Sequence, residues 1–149
     1  MKHMDYMKIA LHEAQIALHE NEVPVGAVVV KQGVVLAKAH NRKEAWQDPT
    51  AHAELLAIRE ACRVLGNWRM DGCSLYVTLE PCAMCASAIL QARVSTLVYG
   101  ARDNDRGAIE SRGRALFDNV YNHQIEVLSG FAEEESQKIL ETFFANIRK

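Results

Sequence analysis

Apolar residues along the chain recur with two spacings, one typical of helices and one typical of strands. Over residues 5–20 a single apolar stripe repeats at helical intervals, which predicts an amphipathic helix. The members of that stripe are Met7, Ala10, Leu11, Ala14, Ala17 and Leu18. His12 and His19 lie off the stripe and seven positions apart. Because two ligands on one helix are usually three or four positions apart, we expect both histidines to face solvent.

Short runs of β-branched residues predict five strands. Val25–Val30 and Val34–Ala39 are joined by Lys31-Gln32-Gly33, whose turn residues predict a hairpin. Three further strands are predicted at Cys73–Leu79, Val94–Gly100 and Gln124–Leu128.

Capping signals predict helices between and after these strands. Thr50 is the expected N-cap of a helix from about Ala51 to Leu65, which Gly66-Asn67 ends. Pro81 is expected to open a helix that runs to about Ala92, since proline is favoured in a first turn. Phe131–Ile147 is predicted as the closing helix. The buried stripe of the first of these helices is expected to contain Leu55, Ile58, Cys62 and Leu65.

This order of elements predicts the fold class. Strands separated by helices pair in parallel within a sheet that is covered on both faces, whereas the opening hairpin adds an antiparallel pair. The expected fold is therefore an α/β, three-layer α/β/α sandwich with a mixed five-stranded sheet. Repeats, low-complexity tracts and linkers are absent from the 149 residues, so we expect one domain over 1–149.

Composition and charge exclude several classes of protein. With 49% hydrophobic and 24% charged residues the sequence is ordinary for a globular protein. No apolar run has the length of a membrane span, and Met1–Tyr6 lack the features of a signal peptide, so we expect a cytoplasmic protein. The four cysteines are therefore expected to be thiols or metal ligands. The net charge of −2 means that any RNA site requires a local basic patch.

Two short segments carry the expected chemistry, His52-Ala53-Glu54 and Pro81-Cys82-Ala83-Met84-Cys85. A CxxC pair alone is weak evidence, but a structural zinc site needs four protein ligands, and no second CxxC or HxxxH follows. Cys62 and Cys73 are expected in the core and at the start of a strand. Three ligands, His52, Cys82 and Cys85, leave the fourth position of one Zn²⁺ open to water, which is typical of a catalytic site.

Glu54 is expected to carry protons rather than to bind the metal. Two residues along a helix correspond to a rotation of about 200°, so Glu54 and His52 cannot be ligands of the same helical face. Zn²⁺ with two thiolates and one neutral imidazole is uncharged and acidifies its water less than a three-histidine site does. Glu54 would therefore act as the base for attack on an amine-bearing ring carbon, then protonate the ring nitrogen and the departing amine.

HxE followed by PCxxC is a known signature of zinc-dependent nucleobase deaminases. Beyond it, nearly the whole chain resembles bacterial tRNA-specific adenosine deaminases of the zinc-dependent cytidine/deoxycytidylate deaminase superfamily. This resemblance implies a cytidine deaminase-like fold, a homodimer, and conversion of the wobble adenosine of a tRNA anticodon to inosine with release of ammonia. The segments that carry it are Glu22-Val23-Pro24-Val25-Gly26-Ala27, His40-Asn41-Arg42, Pro49-Thr50-Ala51-His52-Ala53-Glu54, Leu75-Tyr76-Val77-Thr78-Leu79-Glu80-Pro81-Cys82 and Val98-Tyr99-Gly100-Ala101.

The same resemblance implies four residues that bind the substrate. Asn41 would hydrogen-bond the flipped base, Val25 and Leu79 would form the pocket walls, and Asp103 would lie beside the ribose. Without the resemblance, Asn41 is equally a turn residue that ends a strand. Val25 and Leu79 are equally ordinary strand core.

The segment after Asp103 departs from the family pattern. Asp105 stands where the family has a lysine, and Glu110 stands where it has a glycine before Ser111, so two acids are expected near the RNA phosphates. Four arginines could compensate as RNA contacts, or they could belong to a solvated loop. They are Arg102, Arg106, Arg112 and Arg114.

Two other functions remain open from the sequence. A deaminase of a free purine base or nucleoside, such as guanine, would use the same fold and zinc site, and the acids after Asp103 favour it. A non-catalytic zinc protein that binds nucleic acid would need neither Glu54 nor an open metal position. Release of ammonia from any substrate would exclude the latter.

Overall fold

The computed structural model describes residues 2–113 and 123–147. The strands among them are β1 (Gly26–Lys31), β2 (Val34–His40), β3 (Cys73–Leu79), β4 (Thr96–Ala101) and β5 (Glu126–Leu128). The helices are α1 (His3–His19), α2 (Lys43–Trp46), α3 (Ala53–Leu65), α4 (Ala83–Gln91) and α5 (Glu133–Ile147). No helix in these two ranges is both long and apolar enough to cross a membrane.

The strands form one mixed sheet in the order β2-β1-β3-β4-β5. β1 is antiparallel to both β2 and β3, whereas β3, β4 and β5 are mutually parallel. The prediction of a mixed five-stranded sheet that opens with a hairpin is therefore confirmed. The parallel arrangement brings Leu79 and Ala101, the last residues of β3 and β4, side by side at one edge.

Side chains of alternate residues point to opposite faces of the sheet, and each face has its own core. Val28, Tyr76 and Val98 pack on one face against α1, beside the start of α5. Val29, Leu75 and Leu97 pack on the other face with residues of α3 and α4. Helices thus cover both faces, which confirms the α/β/α sandwich.

The predicted start of α3 is wrong by two residues. Thr50 is not the N-cap, because its hydroxyl and backbone N–H both donate to Oδ1 of Asp48 in a turn before the helix. His52 has the extended backbone of the N-cap, and the helix begins at Ala53. Of the predicted buried stripe of α3, Ile58 is buried, Cys62 and Leu65 are partly buried against the same core, and Leu55 is partly exposed. Small side chains allow this helix to lie close to the sheet, and its buried apolar residues are Ala53, Ala57, Ile58 and Ala61.

The helix predicted from Pro81 also begins two residues later, because Cys82 is the N-cap of α4. α5 likewise begins at Glu133 rather than at Phe131. β3 has the predicted bounds, and α1 leaves His12 and His19 exposed as expected. The four-residue helix α2 was not predicted, since a single turn has no apolar period to detect.

Candidate active site

His52, Cys82 and Cys85 form a compact group of potential metal ligands. Nδ1 of His52 lies 3.5 Å from Sγ of Cys85 and 3.7 Å from Sγ of Cys82. One ligand atom from each of the three residues lies within 4.8 Å of the others. The spacing of these residues along the sequence correctly predicted that they meet.

The starts of two helices create this group. His52 is the N-cap of α3 and Cys82 is the N-cap of α4, so both residues have extended backbone just before a helix. Cys85 is three positions after Cys82, at the position whose side chain reaches back to the N-cap in a capping box. CxxC spacing therefore brings both sulfurs to the positive end of α4, which favours thiolates.

The three donor atoms fit a tetrahedral metal ion. With Zn–N of about 2.1 Å and Zn–S of about 2.3 Å, the N···S edge of a tetrahedral site is about 3.6 Å. The two N···S distances from His52 lie on either side of this value. One imidazole nitrogen and two sulfurs also form a donor set that binds zinc in preference to magnesium or calcium.

The two thiols share one negative charge. Hydrogen bonds from Cys85 and then from His52 lower the pKa of Cys82 to about 4, against the opposing effect of burial. The hydrogen bond to Cys82 and burial raise the pKa of Cys85. A neighbouring thiolate thus prevents the second ionisation, and a bound divalent cation would remove that obstacle by neutralising both sulfurs.

Glu54 lies buried in the first turn of α3, two residues after His52, and is 4% exposed. Burial raises its pKa to about 7, and the nearby Cys82 thiolate acts in the same direction. A carboxyl group with a pKa near neutrality can both accept and return a proton at physiological pH.

Asn41 connects the end of β2 to the start of α3. Its side chain is almost completely buried, and Oδ1 accepts a 2.7 Å hydrogen bond from the backbone N–H of Ala53. Asn41 is therefore more than a turn residue, because it satisfies the first free amide of the helix that carries Glu54. With Oδ1 engaged, the side-chain NH₂ group is the part that Asn41 can offer to a ligand.

A cleft of about 610 Å³ opens above the group, a size suited to a nucleobase or nucleoside. Every substrate-binding residue expected from the resemblance lines it, together with two of the four arginines. The predicted residues in its wall are Val25, Asn41, His52, Glu54, Leu79, Cys82, Arg102, Asp103 and Arg106. Cys85 lies behind this wall and is fully buried. Arg112 is exposed outside the lining, and Arg114 falls outside the described residues.

Several lining residues were missed by the sequence analysis, chief among them Leu140 and Phe144 of α5. Phe144 is exposed although Phe143 beside it is buried. Consecutive phenylalanines on a helix cannot share one face, so Phe143-Phe144 was an available signal that one of them faces outward. The other missed residues are Val23, Lys43, Glu80 and Asn104.

The loop after β4 differs from expectation at Glu110. We expected this acid to face the RNA phosphates together with Asp105. Instead its carboxylate accepts a hydrogen bond from the hydroxyl of Tyr99 and lies 3.9 Å from the guanidinium of Arg102. Asp105 is exposed in the lining as expected. Oδ1 of Asp103 accepts the N–H groups of Asp105 and Arg106, which shapes this part of the loop.

Fold and site together define a deaminase with a cytidine deaminase-like fold. The sequence model of the MafB19-like deaminase family matches residues 1–148. A tRNA-specific adenosine deaminase of Bacillus subtilis is 49% identical over 144 residues, which cover 97% of this chain and 89% of the relative. The chain belongs to the MafB19-like deaminase family, within the group of the tRNA-specific adenosine deaminases.

Solved structures agree with this assignment. One comes from a study of A-to-I editing by tRNA:A34 deaminases at the wobble position of transfer RNA. It is 49% identical, with a TM-score of 0.88, over 91% of this chain and 99% of that one. A guanine deaminase from Bacillus subtilis is less similar, at 30% identity and a TM-score of 0.66 over 100% of this chain and 96% of that one.

Replacing Asn41 by alanine is expected to lower the free energy of unfolding by about 1 kcal/mol, because the N–H of Ala53 loses its acceptor. Asn41→Asp keeps an acceptor oxygen and should recover most of that loss. Thr50→Ala is the matched control, with an expected change within about 0.5 kcal/mol since Thr50 is exposed. Urea unfolding of the three variants measures the effect. An equal loss in Thr50→Ala and Asn41→Ala would contradict the assignment of the cap.

Proposed function

We propose that this chain hydrolyses adenosine to inosine at the wobble position of a tRNA anticodon and releases ammonia. The observation that carries the proposal is the buried Glu54 beside the His/Cys/Cys group at the base of the cleft. Acid–base chemistry next to a metal suits hydrolytic deamination. The tRNA substrate is supported by the name of the relative that is 49% identical over nearly the whole chain.

The metal we infer is one Zn²⁺ per chain, held by His52, Cys82 and Cys85. Its support is the donor set and the N···S distances of 3.5 and 3.7 Å. When bound with one position open, zinc supplies a water molecule activated for nucleophilic attack.

Glu54 would perform the proton transfers of the reaction. Its carboxylate would take a proton from the attacking water and deliver it to the ring nitrogen adjacent to the amine-bearing carbon. A second transfer through the same carboxylate would convert the amine into the leaving ammonia. The pKa of about 7 supports both directions, because neither protonation state is strongly disfavoured near neutral pH.

The cleft walls would hold the base in a flipped-out position. Val25 and Leu79 offer apolar surface in the wall of the cleft, and the NH₂ group of Asn41 can donate to an acceptor on the base. Asp103 would accept from the ribose through Oδ2, since Oδ1 already accepts two backbone amides. A base taken from a single-stranded loop costs less to flip than a paired base, which suits an anticodon.

Deamination of a free purine such as guanine is the second candidate. The guanine deaminase of Bacillus subtilis shares the fold at 30% identity, against 49% for the tRNA-specific relative, so this candidate is not favoured. A non-catalytic zinc protein is disfavoured by Glu54, because binding alone gives no reason to bury an acid beside the metal ligands.

Purified protein is expected to form inosine in an unmodified tRNA with adenosine at the wobble position and to release no ammonia from guanine. Glu54→Gln should keep one zinc per chain, because it removes no metal ligand. Its activity should fall by about 10²–10⁴-fold or more, because the proton carrier is lost. Cys82→Ser should lose both zinc and activity. Nucleoside analysis, an ammonia assay and elemental analysis measure the three readouts. Ammonia from guanine without inosine in tRNA would favour the second candidate.

Arg106→Ala is expected to raise KM for tRNA and to flatten its dependence on salt by about 0.7 in log–log slope, as for one phosphate contact with a single strand. Arg106 lines the cleft, whereas exposed Arg112 does not, so Arg112→Ala is the matched control and should change both quantities less. Asp105→Lys should lower KM, because it removes an acid from the same wall. Unchanged salt dependence in Arg106→Ala would exclude this arginine as an RNA contact.

We also infer a homodimer that acts in the cytoplasm, where tRNA is found. The support is the family resemblance together with exposed apolar side chains on and after α3 and on α4. These include Val64, Trp68 and Met84. Light scattering should give twice the 16.7 kDa chain mass at micromolar concentration. A mass near 16.7 kDa would contradict the dimer, and Trp68→Glu should shift the mass toward that of the monomer.

A further inference from the structure

Glu80 is a buried acid that the chemistry above does not use. It directly follows β3, lies between Leu79 and Pro81, and is 2% exposed. Its carboxylate is surrounded by hydrogen-bond donors from one loop, residues 103–111. Oε2 accepts the N–H groups of Ile109, Glu110 and Ser111 at 3.1, 2.7 and 2.9 Å. Oε1 accepts the N–H of Asp103 at 3.1 Å and the hydroxyl of Ser111.

Three consecutive backbone amides directed at one oxygen form a concave anion site, which Glu80 fills from within the chain. The loop around it has no strand or helix partner for these amides, and buried amides without acceptors are costly. Gly107 shows how closely the loop surrounds the carboxylate. A Cβ at that position would lie 2.4 Å from Cδ of Glu80, so only glycine fits.

The same loop forms one rim of the cleft. Residues 102–106 line it, and they include Arg102, Asp103 and Arg106. The N–H of Ala108 also donates to the carbonyl of Pro81, so the loop is fastened to the segment that leads into Cys82. Glu80 therefore lies where three parts of the site meet. They are the cleft wall at Leu79, the segment that leads into Cys82, and the rim formed by residues 102–106.

We infer that Glu80 is a positioning residue that holds the 102–106 rim in the geometry needed to bind the substrate. The inference rests on the proposed function for the identity of the substrate, but the attachment of the loop is independent of it. Glu54 and His52 are positioned by α3 rather than by this loop. Loss of Glu80 should therefore weaken substrate binding more than it slows the chemical step.

Glu80→Gln is the first test, because it keeps the side-chain shape but directs an NH₂ group at backbone donors. Trypsin should cleave after Arg102, Arg106 or Arg112 about tenfold faster or more, since the loop opens when its buried donors lose a charged acceptor. KM for tRNA should rise about tenfold, kcat should change less, and zinc content should stay at one per chain.

Glu22→Gln is the matched control. Glu22 is equally buried, and its carboxylate accepts the N–H groups of Glu44 and Ala45 at the start of α2. This variant loses the same chemistry at another place, so the trypsin sites in 102–112 should keep the wild-type cleavage rate. Equal acceleration in both variants would mean global destabilisation and would overturn a specific role for Glu80.

Glu80→Ala tests whether the loop requires the negative charge of the Glu80 carboxylate or only a group of its shape. It removes a CH₂–COO⁻ group, which acetate matches in size and charge, whereas acetamide matches in size alone. Acetate should restore trypsin resistance and lower KM, and acetamide should not. Gly107→Ala, which displaces the carboxylate without removing it, should reproduce the phenotype of Glu80→Gln.

Two results would overturn the inference. One is wild-type trypsin resistance and KM in Glu80→Gln, and the other is a fall in kcat at unchanged KM. If wild-type protein forms no inosine in tRNA, the proposed function fails instead, while the trypsin and acetate results still decide the role of Glu80.

Discussion

The rest of the site depends on one constraint, which is that three potential metal ligands and a buried acid must meet where two helices begin. The parallel order of β3 and β4 and the crossover helices bring the N-termini of α3 and α4 to one edge of the sheet. Helix N-termini stabilise negative charge, so thiolates and a carboxylate can be collected there at lower cost than elsewhere in a core. The extended N-cap backbone at His52 and Cys82 directs both side chains into the cleft.

Irregular backbone around this edge creates a second requirement. Segments of the cleft wall that lie outside strands and helices still need hydrogen-bond acceptors for their backbone N–H groups. Three polar side chains do so, with Glu22 holding the turn that begins α2, Asn41 the start of α3 and Glu80 the loop after β4. Each is buried and accepts from backbone N–H groups. The walls of the cleft are therefore held by local polar anchors as well as by the sheet.

Sequence predicted those features that short-range spacing encodes. The bounds of β3, the ligand group and Glu54 follow from alternation and from two short segments. The starts of α3 and α4 were predicted two residues too early because His52 and Cys82, which are not among the preferred capping residues, occupy the N-caps. The Phe143-Phe144 pair indicated only that one ring faces outward. The position of Phe144 in the cleft and the five hydrogen bonds to Glu80 depend on distant segments, so they could not be predicted from spacing.

Glu110, which is atypical for the family, shows that the effect of a charged residue depends on its contacts in the fold. From the sequence alone, Glu110 disfavours RNA binding, because it replaces a glycine near the expected position of the phosphates. In the fold its carboxylate accepts a hydrogen bond from the Tyr99 hydroxyl and lies 3.9 Å from the guanidinium of Arg102, so its charge is engaged within the protein. Arg102 takes part in the same contact, whereas Arg106 has no ion pair among the described residues. Asp105 and Arg106 are the neighbouring exposed charges on this rim. That balance is compatible with the proposed tRNA substrate, because binding in the cleft would also gain from its apolar walls and from the amide of Asn41.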